Sequence, residues 1–454
     1  MPLLSDQTLI CRRPAELLQN LIRFNTTNPP GDEAACIAYI NNLLTEAGLE
    51  TTILARDPGR PNLITRLTGQ GDAPPLLLYG HADVVTAENQ VWRYPPFEGT
   101  IAEGCVWGRG ALDMKGGLAM MLAACLRAKA ENLALPGDIV LAVLSDEESG
   151  GDYGAKYLVN NHACLFKGIR YAIGELGGYS LRLGGQKFYM IMVAEKKLCW
   201  MKVTVRGPGG HGSIPLRGGA MAKLAQVLQQ LEWRRLPVHI TPVVRRMLDT
   251  MLPVLPDSTS PVIRRLLNPA LTDSALAQLD ESWQFLDPLL HNTVNATIVH
   301  GGHKINVIPS EISLQLDGRL LPGCTPEDMV RELREITGGQ FEFELIQHGA
   351  DPGEPDMGLF DTLAEILRKA DPGCYPVPLL LSGCTDGHFF SQLGIQTYGY
   401  MPMNLPPEIE VSKLIHAADE RIPVEALTFG AEAIYQVLQR FGNLKNIAAE
   451  KPDI

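Results

Sequence analysis

The sequence predicts an α/β protein in which a discontinuous α/β domain carries a smaller α+β domain as an insertion. Three observations support this fold class. Helix and buried-strand patterns alternate along the first part of the chain, the strands become one-sided at about Lys196, and the α/β pattern resumes after Ala350. We therefore assign residues 1–196 and 351–454 to the α/β domain and residues 197–350 to the inserted domain.

The elements of residues 1–196 are apolar strands separated by helices. The segment "EAACIAYINNLLTEAG" has the pattern of an amphipathic helix that ends at Gly48, and "GGLAMMLAACLRAKA" is a second helix. Buried strands are predicted for "APPLLLYGH", "GDIVLAVLS" and "GIRYAIGE", whose apolar runs are nearly continuous. Strands of this kind between helices predict a largely parallel sheet that is covered by helices.

Residues 197–350 have the order β-α-β-β-α-β of a ferredoxin-like unit. The strands are "LCWMKVTVRG", "NATIVHGG", "EISLQLDGR" and "FEFELI", and the helices are "GAMAKLAQVLQQLEW" and "TPEDMVRELREI". An extra segment, residues 236–290, separates the first helix from the second strand, and its role does not follow from the sequence. The α/β pattern then returns in "PVPLLL", "IQTYGYM" and the helix "PVEALTFGAEAIYQVLQRF".

The composition is that of an ordinary globular protein and excludes several classes of partner. Of the 454 residues, 45% are hydrophobic and 20% are charged, which allows sizeable cores. The net charge of −12 argues against nucleic acid and anionic membranes, because both require clustered Lys and Arg. No apolar run approaches the ~18 residues of a membrane span and the N-terminus lacks a secretory signal, so we expect a cytoplasmic protein. The nine cysteines include no C-x-x-C pair and are expected to be reduced thiols.

Acidic residues and a histidine follow the buried strands of the α/β domain. They are His81 and Asp83 in "LLLYGHADVV", Glu147 and Glu148 in "AVLSDEES", and Glu175 in "YAIGELGG". The carboxyl ends of parallel strands line the ligand crevice of an α/β sheet, so we expect these side chains to converge at one edge. Two further candidates lie in loops, Asp113 in "GRGALDMKGG" and His416 in "KLIHAADE".

Taken singly, each candidate has a structural explanation. A lone His is more often a core or surface residue, "DMKGG" fits a helix capped by Asp, and an acidic triplet fits a solvated turn. Taken together, two His and several carboxylates at strand ends form the ligand set that zinc and similar divalent ions prefer. The combination therefore favours a metal site over a series of coincidences.

In their order and context, "GHADVV", "GRGALDMKGG", "SDEESGG", "GELGG", "GPGGHGS" and "KLIHAADE" resemble the dinuclear zinc metallopeptidases. That family includes aminoacylase, carboxypeptidase S, glutamate carboxypeptidase, acetylornithine deacetylase and succinyl-diaminopimelate desuccinylase. The resemblance spans almost the whole chain. It implies a zinc-peptidase-like α/β catalytic domain, an inserted lid and dimerisation domain, and a homodimer that forms through the lid.

The resemblance also implies two Zn²⁺ ions per subunit, with Co²⁺ or Mn²⁺ as possible substitutes. Asp113 is the carboxylate expected to bridge both ions, and the peptide bond after it is expected to be cis. The remaining ligands are His81 and Glu175 for one ion, and Glu148 and His416 for the other. Asp83 resembles the carboxylate that orients His81 and raises its basicity.

Under this resemblance the adjacent glutamates have different functions. Glu148 would bind a metal, whereas Glu147 would act as the general base on the attacking water and then as the general acid for the leaving amine. Neighbouring residues of an extended segment point in opposite directions, so the two carboxylates can reach different targets. His211 in "RGPGGHGS" matches the family histidine that crosses to the partner subunit and stabilises the oxyanion.

The residues expected to bind substrate are Asn306, Arg319, Gly383 and His388. Asn306 in "KINVIP" and Arg319 in "LQLDGR" match residues that bind the substrate's carbonyl and carboxylate. Asp317 is expected to orient Arg319 or to end the strand rather than to contact substrate. Gly383 lies in "SGCTDGHFF", which corresponds to the family's glycine-rich loop.

That loop departs from the aminoacylase pattern at two positions. Cys384 replaces a small residue, and His388 stands where aminoacylase-like members have an Arg. An unperturbed His titrates near 6.5 whereas an Arg stays cationic, so a contribution of His388 would make carboxylate binding depend on pH. The alternative is that His388 packs against Phe389 and Phe390.

We therefore expect a homodimeric two-zinc amidohydrolase that cleaves an amide next to a free α-carboxylate, in an N-acyl amino acid or short peptide. A dipeptidase of the same family is the alternative within this class. A non-catalytic relative that keeps the fold as a binding module is an alternative from another class, and the intact ligand set argues against it. A two-metal phosphoesterase is disfavoured, because no phosphate-binding Arg/Lys cluster or P-loop accompanies the ligands.

Overall fold

A computed structural model describes residues 10–338, 341–351 and 353–442 of the chain. The described residues belong to two compact units. Unit 1 falls within Met1–Val193, Pro355–Leu379 and Thr385–Ile454, and unit 2 falls within Ala194–Glu354 and Leu380–Cys384. Unit 1 is therefore discontinuous in sequence.

Helices and strands alternate through most of the described chain. The α-helices are α1 (Pro14–Ile22), α2 (Ala34–Glu46), α3 (Lys115–Ala130), α4 (Ala155–His162), α5 (Ala220–Trp233), α6 (Pro242–Met251), α7 (Ser260–Arg265), α8 (Thr272–Leu276), α9 (Asp287–Leu290), α10 (Pro326–Thr337), α11 (Phe360–Ala370), α12 (Gly387–Ser391), α13 (Val411–Leu414) and α14 (Val424–Arg440). Short 3-10 helices occupy Glu147–Ser149, Ala163–Phe166 and Glu281–Leu286.

The strands are β1 (Thr51–Ala55), β2 (Pro61–Leu67), β3 (Leu76–His81), β4 (Thr100–Ala102), β5 (Cys105–Trp107), β6 (Ile139–Leu144), β7 (Tyr171–Gly174), β8 (Ser180–Leu183), β9 (Gln186–Glu195), β10 (Lys197–Arg206), β11 (Gly210–His211), β12 (Thr293–Gly301), β13 (Val307–Ile308), β14 (Glu311–Leu320), β15 (Glu342–His348), β16 (Tyr375–Leu381), β17 (Gln396–Gly399) and β18 (Arg421–Pro423).

The large sheet of unit 1 positions the candidate site. Within the described residues it has nine strands, in the order β1-β2-β6-β3-β7-β17-β9-β16, with β8 paired to β9 outside this path. The central strands β6, β3, β7 and β17 are parallel. β3 and β6 are buried along their whole length, as central strands that are covered on both faces must be.

The α/β fold class predicted from the sequence is confirmed, but the sheet is mixed rather than largely parallel. The strands that the sequence analysis missed include β1, β2 and β9, which join the sheet through antiparallel pairs. β1 and β2 form a hairpin over a short connection. Consecutive strands with a short connection must run in opposite directions, whereas parallel neighbours need a long crossover.

Helix α3 begins immediately after the loop that carries Asp113, and nearly all of its residues are buried. It contacts α1 and α14. A Cβ atom at Gly116 would collide with the Ala111 carbonyl oxygen, and one at Gly117 would collide with the Met401 sulfur. The two glycines of "DMKGG" are therefore required, because a side chain at either position would prevent the first turn of α3 from packing this closely.

The sheet of unit 2 has four antiparallel strands in the order β12-β14-β10-β15. With helices α5 and α10 these strands follow the order β-α-β-β-α-β, which confirms the predicted ferredoxin-like unit. β10 alternates between buried and more exposed residues because only one face of the sheet packs on the helices. Helix α10 begins at a capping box formed by Thr325 and Asp328.

Other features of the described chain also bear on the sequence analysis. Residues 236–290 form the helices α6 to α9. The peptide bond between Asp113 and Met114 is cis, as the family resemblance implies. All nine cysteines are free thiols. Among the described helices, none combines the length and the apolar character that spanning a bilayer requires.

Candidate active site

Three strand ends bring predicted residues to one edge of the unit 1 sheet. His81 is the last residue of β3, Glu147 and Glu148 follow β6 in a 3-10 turn, and Glu175 follows β7 directly. β6, β3 and β7 are neighbours in the sheet and run parallel, so their carboxyl ends lie side by side. Side chains that are far apart in the sequence meet for this reason.

Five side chains form two groups of potential metal ligands that share Asp113. In the first group, His81 Nε2 lies 3.3 Å from Asp113 Oδ1 and 3.3 Å from Glu175 Oε2. In the second group, His416 Nε2 lies 3.2 Å from Asp113 Oδ2 and 3.3 Å from Glu148 Oε2. Each oxygen of the Asp113 carboxylate therefore faces a different histidine.

The two groups differ in their exposure to solvent. His81, Asp113 and Glu175 are all buried. The side chain of His416 is 50% exposed, whereas that of Glu148 is 6% exposed. The second group is therefore the more open of the two, and its histidine lies on the solvent side.

The donor atoms of this cluster fit divalent cations. Oε1 of Glu148 and Oε1 of Glu175 are buried and have no hydrogen-bond partner among the described residues. Buried polar atoms without a partner are costly, and a cation would satisfy these two. Two groups of His and carboxylate ligands that share one carboxylate are also the donor set of a two-metal centre.

The surrounding carboxylates raise the pKa of both histidines. Burial alone would lower the pKa of His81, but the charge of Glu175 and hydrogen bonds with neighbouring carboxylates raise it well above its ordinary value. Hydrogen bonds with Asp113 and Glu148 raise the pKa of His416 to about 10. A metal ligand must be the neutral imidazole, so cation binding here would displace protons.

The acids of the cluster separate into two kinds. Burial, aided by neighbouring carboxylates, raises the pKa of Glu175 to about 7. Burial and the charge of Glu175 raise the pKa of Glu147 well above its ordinary value. Burial also acts on Asp113, but hydrogen bonds with the two histidines hold its pKa below its ordinary value. Asp113 is therefore suited to a permanent ligand. Glu175 and Glu147 share a raised pKa, and they differ in that Glu175 belongs to a ligand group and Glu147 does not.

Asp83 connects the histidine to the turn that carries the two glutamates. His81 Nδ1 lies 3.0 Å from the Asp83 carbonyl oxygen and 3.5 Å from its Oδ1 atom, so the backbone is the closer partner. The Asp83 carboxylate accepts hydrogen bonds from the backbone amides of Glu147 at 3.2 Å and Glu148 at 3.1 Å. The sequence analysis assigns Asp83 to His81 alone and misses this second contact.

Asp146 shapes the turn through a left-handed backbone and a buried network. Its φ of 71° is a conformation that non-glycine residues rarely adopt. Its carboxylate accepts hydrogen bonds from Arg60 at 2.9 Å, from Asn28 at 3.0 Å and from the Tyr153 amide at 3.1 Å. Arg60 also pairs with the buried Glu33 at 2.6 Å. The sequence analysis misses these partners because no local motif marks a tertiary contact.

Asp386 is a further buried acid of unit 1. It lies in "SGCTDGHFF", the segment that corresponds to the family's glycine-rich loop, and this position is the signal by which it could have been found. Its Oδ2 atom is buried and has no hydrogen-bond partner among the residues described. Burial raises the pKa of Asp386 well above its ordinary value, and its charge contributes to the raised pKa of Glu147.

His388 packs its ring on Phe389, with the ring centroids 3.7 Å apart. Its Nδ1 atom donates a hydrogen bond to the Thr385 carbonyl oxygen at 2.5 Å. Burial lowers the pKa of this imidazole. The contact with Phe389 agrees with part of the packing given as the alternative, and a role for His388 in substrate binding stays a prediction.

His211 and Asn306 lie on a two-stranded ribbon of unit 2. β11 pairs with β13, and the Gly212 amide donates a hydrogen bond to the Asn306 carbonyl oxygen at 2.9 Å. Both residues are exposed, and His211 Nδ1 lies 2.7 Å from Ser213 Oγ. The interaction with Ser213 leaves His211 Nε2 for another partner.

The Arg319 guanidinium is held by Asp317 within unit 2. Arg319 Nε donates to Asp317 Oδ1 at 2.8 Å and Nη2 donates to Asp317 Oδ2 at 3.1 Å, which agrees with the orienting role predicted for Asp317. Nη1 faces the Cys384 sulfur at 3.6 Å, and the Cys384 thiol donates to the Lys196 carbonyl oxygen at 2.8 Å. A Cβ atom at Gly383 would have open space among the described residues. The binding roles of Arg319 and Gly383 stay predictions.

Comparison with known proteins places the chain among metal-dependent hydrolases. Pig aminoacylase-1 is 25% identical over 454 residues, which cover 96% of each chain. Succinyl-diaminopimelate desuccinylase from Paracoccus denitrificans is 27% identical over 440 residues, which cover 94% of this chain and 98% of that enzyme. The fold is that of an M20 family metallo-carboxypeptidase from Sulfolobus solfataricus, with a TM-score of 0.66, 18% identity and coverage of 95% of this chain and 99% of that one.

The chain also matches a peptidase family directly. Residues 77–440 match the family described as Peptidase family M20/M25/M40, and this range includes all five potential metal ligands together with Glu147. Because the match extends over most of the chain, this protein belongs to the M20/M25/M40 peptidase family.

Proposed function

We propose that the protein binds two zinc ions per subunit and cleaves the amide bond next to a free carboxylate, in an N-acyl amino acid or a short peptide. Family membership makes the chain a metal-dependent hydrolase of amide bonds. The proposal adds the identity and number of the ions and the position of the bond. The position of the Asp113 carboxylate supports the two-metal proposal most directly, because its two oxygens lie 3.3 Å from His81 Nε2 and 3.2 Å from His416 Nε2.

Under this proposal Asp113 would bridge both ions. The remaining ligands would be His81 and Glu175 for one ion, and Glu148 and His416 for the other. A pair of bound divalent ions supplies Lewis acidity and lowers the pKa of water. Asp83 would fix the orientation of His81 through its carbonyl oxygen and would hold the turn of Glu148 through its carboxylate.

Glu147 would move the proton in the reaction. Its Oε2 atom lies 4.0 Å from His81 Nε2, so it borders the ligands without belonging to either group. The raised pKa of its partly buried carboxyl suits it to accept a proton from the attacking water and to donate it to the leaving amine. Burial and the nearby Glu175 are the main causes of this raised pKa.

Recognition of the substrate's carboxylate and carbonyl is proposed for residues of unit 2 and for His388. Arg319, which Asp317 orients, would bind the carboxylate, and Asn306 would bind the carbonyl. Gly383 would line the binding loop. His211 would stabilise the oxyanion in the site of the partner subunit, a role that rests on the family resemblance.

We propose that the homodimer forms through an exposed edge of the unit 2 sheet. β12 is an end strand of that sheet and is exposed along most of its length. Its Ile298 and Val299 are 43% and 50% exposed, and Met221 and Trp233 of the adjacent α5 are 52% and 72% exposed. An edge strand with apolar side chains beside it can pair with a second copy.

A substrate screen tests the proposed activity. Chelated protein is reloaded with Zn²⁺, Co²⁺ or Mn²⁺ and supplied with N-acyl amino acids, with dipeptides, and with matched amides whose α-carboxylate is blocked. We expect metal-dependent turnover of the substrates with a free carboxylate. Preference for dipeptides would select the dipeptidase alternative. Equal turnover of the blocked amides would contradict the proposed bond position, and no turnover with any metal would favour a binding module.

A further inference from the structure

A buried ion pair between Arg109 and Glu420 is hydrogen-bonded to the loops that carry Asp113 and His416. Arg109 Nη1 donates to Glu420 Oε2 at 2.6 Å, and the two side chains are 1% and 0% exposed. Both residues belong to unit 1. A buried charge pair adds little stability unless further hydrogen bonds satisfy its remaining atoms, so the other contacts of this pair indicate what it holds in place.

Glu420 holds the backbone of the Asp113 loop. Its Oε1 atom accepts hydrogen bonds from the amide of Leu112 at 2.7 Å and from the amide of Asp113 at 3.1 Å. Its Oε2 atom also accepts one from the Gly110 amide at 3.1 Å. A single carboxylate therefore fixes the chain on the N-terminal side of the shared ligand.

Arg109 and Gln90 hold the backbone of the His416 loop. The His416 carbonyl oxygen accepts hydrogen bonds from Gln90 Nε2 at 3.0 Å and from Arg109 Nη2 at 3.3 Å. Arg109 Nη1 also donates to the Ala417 carbonyl oxygen at 3.1 Å, and Gln90 Oε1 accepts from Arg109 Nη2 at 2.9 Å. Gln90 is thus bound to both the arginine and the ligand's backbone.

The backbone of His416 needs this support. Its φ of 62° is in the left-handed region, which a residue with a side chain adopts at a cost unless its surroundings fix it. Its side chain is half exposed, so burial alone does not orient the imidazole. The hydrogen bonds to its carbonyl oxygen therefore help to hold this loop conformation, together with the contacts of its imidazole to Asp113 and Glu148.

We propose that Gln90 and Arg109 are positioning residues for the divalent cation that Asp113, Glu148 and His416 would bind. Gln90 acts on the cation through the backbone of His416 and leaves the site of His81, Asp113 and Glu175 unaffected. Arg109 also pairs with Glu420, which holds the Asp113 amide, so it supports the shared ligand as well. The inference rests on the proposed two-metal centre and adds a difference between its two sites. Mutation of a residue that orients a metal ligand in this way typically lowers metal affinity about 10–100-fold.

The test is a Zn²⁺ titration of metal-free protein in the presence of a competing chelator, which gives a dissociation constant for each ion. Gln90→Met removes both hydrogen bonds at similar side-chain volume, and Gln90 is only partly buried, so folding is expected to be retained. Gln19→Met is the matched control, because Gln19 also donates to a backbone carbonyl oxygen, that of Gly99 at 2.7 Å. Arg109→Lys keeps the charge but loses the planar fork, and it is expected to weaken both ions because Glu420, the partner of Arg109, also holds the Asp113 amide.

We expect Gln90→Met to weaken one ion about tenfold or more and to leave the other ion and the melting temperature of the metal-free protein unchanged. Gln19→Met should bind both ions as the parent does. If Gln90 acts through His416, Gln90→Met should add nothing to the loss of affinity caused by His416→Ala. Equal weakening of both ions in Gln90→Met, or no change in either, would overturn the inference and leave the two-metal centre standing. A parent protein that binds fewer than two ions would overturn both.

Discussion

His416 Nε2 lies 3.2 Å from Asp113 Oδ2, and the other oxygen of that carboxylate faces a second histidine, His81, at 3.3 Å. Asp113 is therefore the point at which two ligand groups meet. We expect Asp113→Ala to lose most of both ions, because a shared carboxylate serves two sites. Elemental analysis of the purified variant measures this. One tightly held ion in Asp113→Ala would refute the bridge, and Glu175→Ala, which alters one group only, is the comparison.

The adjacent glutamates should respond differently to the same substitution. Glu147→Gln should keep its metals and lose about 10²–10⁴-fold in turnover, because the amide cannot carry the proton. Glu148→Gln should weaken metal binding itself, since Glu148 Oε2 lies with His416 in the second ligand group. Metal content and kcat are measured on both variants. Similar behaviour of the two would contradict the division between ligand and proton carrier.

Metal-free protein should lose stability as pH rises from 5 to 9. The pKa of Glu175 is raised from 4.5 to about 7, so the folded state favours the protonated acid and stability falls as pH rises through that interval. The pKa of His416 is raised from 6.5 to about 10, so its contribution is complete below 6.5 and is lost towards 10. Asp113, whose pKa is lowered, is ionised in both states over this range and adds no slope.

Urea unfolding of chelated protein at pH 5, 7 and 9 measures this trend. The metal-loaded protein is the control, and its free energy of unfolding should fall less, because bound cations take the place of the protons. If metal-free protein is more stable at pH 9 than at pH 5, groups other than Glu175 and His416 determine the pH dependence of its stability and the prediction is wrong.

Mixing two inactive variants tests the predicted role of His211 across a dimer. His211→Ala and Glu147→Gln are each expected to be inactive as homodimers. A mixed dimer would combine one intact His211 with one intact Glu147 at a single site, so partial activity should return. Subunit exchange is first verified by native mass spectrometry with a mass-labelled variant. Verified exchange without recovered activity would mean that His211 does not act across the interface.

His388 should contribute charge to substrate binding only in acidic solution. Burial lowers the pKa of its imidazole, so the ring is neutral at and above pH 7. KM should therefore rise as pH increases towards 7 and be constant above it, while His388→Arg should give a flat, lower profile. KM is measured from pH 5 to 9 for the parent, for His388→Arg and for His388→Ala. A KM that is independent of pH in the parent and unchanged in both variants would leave carboxylate binding to unit 2.

The sequence by itself was sufficient for the fold class, the ferredoxin-like unit and the five side chains that the structure groups as potential metal ligands. Buried parallel strands produce long apolar runs, and the polar residues that follow each run stand at the sheet edge. His81, Glu147 and Glu175 could be predicted on this basis, while Asp113 and His416 needed the family motifs as well. All of these signals are local in the chain.

Only the tertiary structure determined how the ligand loops are supported. The sheet is mixed because the β1–β2 hairpin adds antiparallel strands, and the sequence analysis missed that hairpin. Arg109 and Glu420 stand within "GRGALDMKGG" and "KLIHAADE", but no local pattern shows that they pair with each other or that Gln90 joins them. The pair is recognised only when the two residues, 311 positions apart in the chain, lie side by side in the fold. Charged residues are normally exposed, so their burial here results from pairing and from hydrogen bonds to loop backbones, which form only in the folded chain.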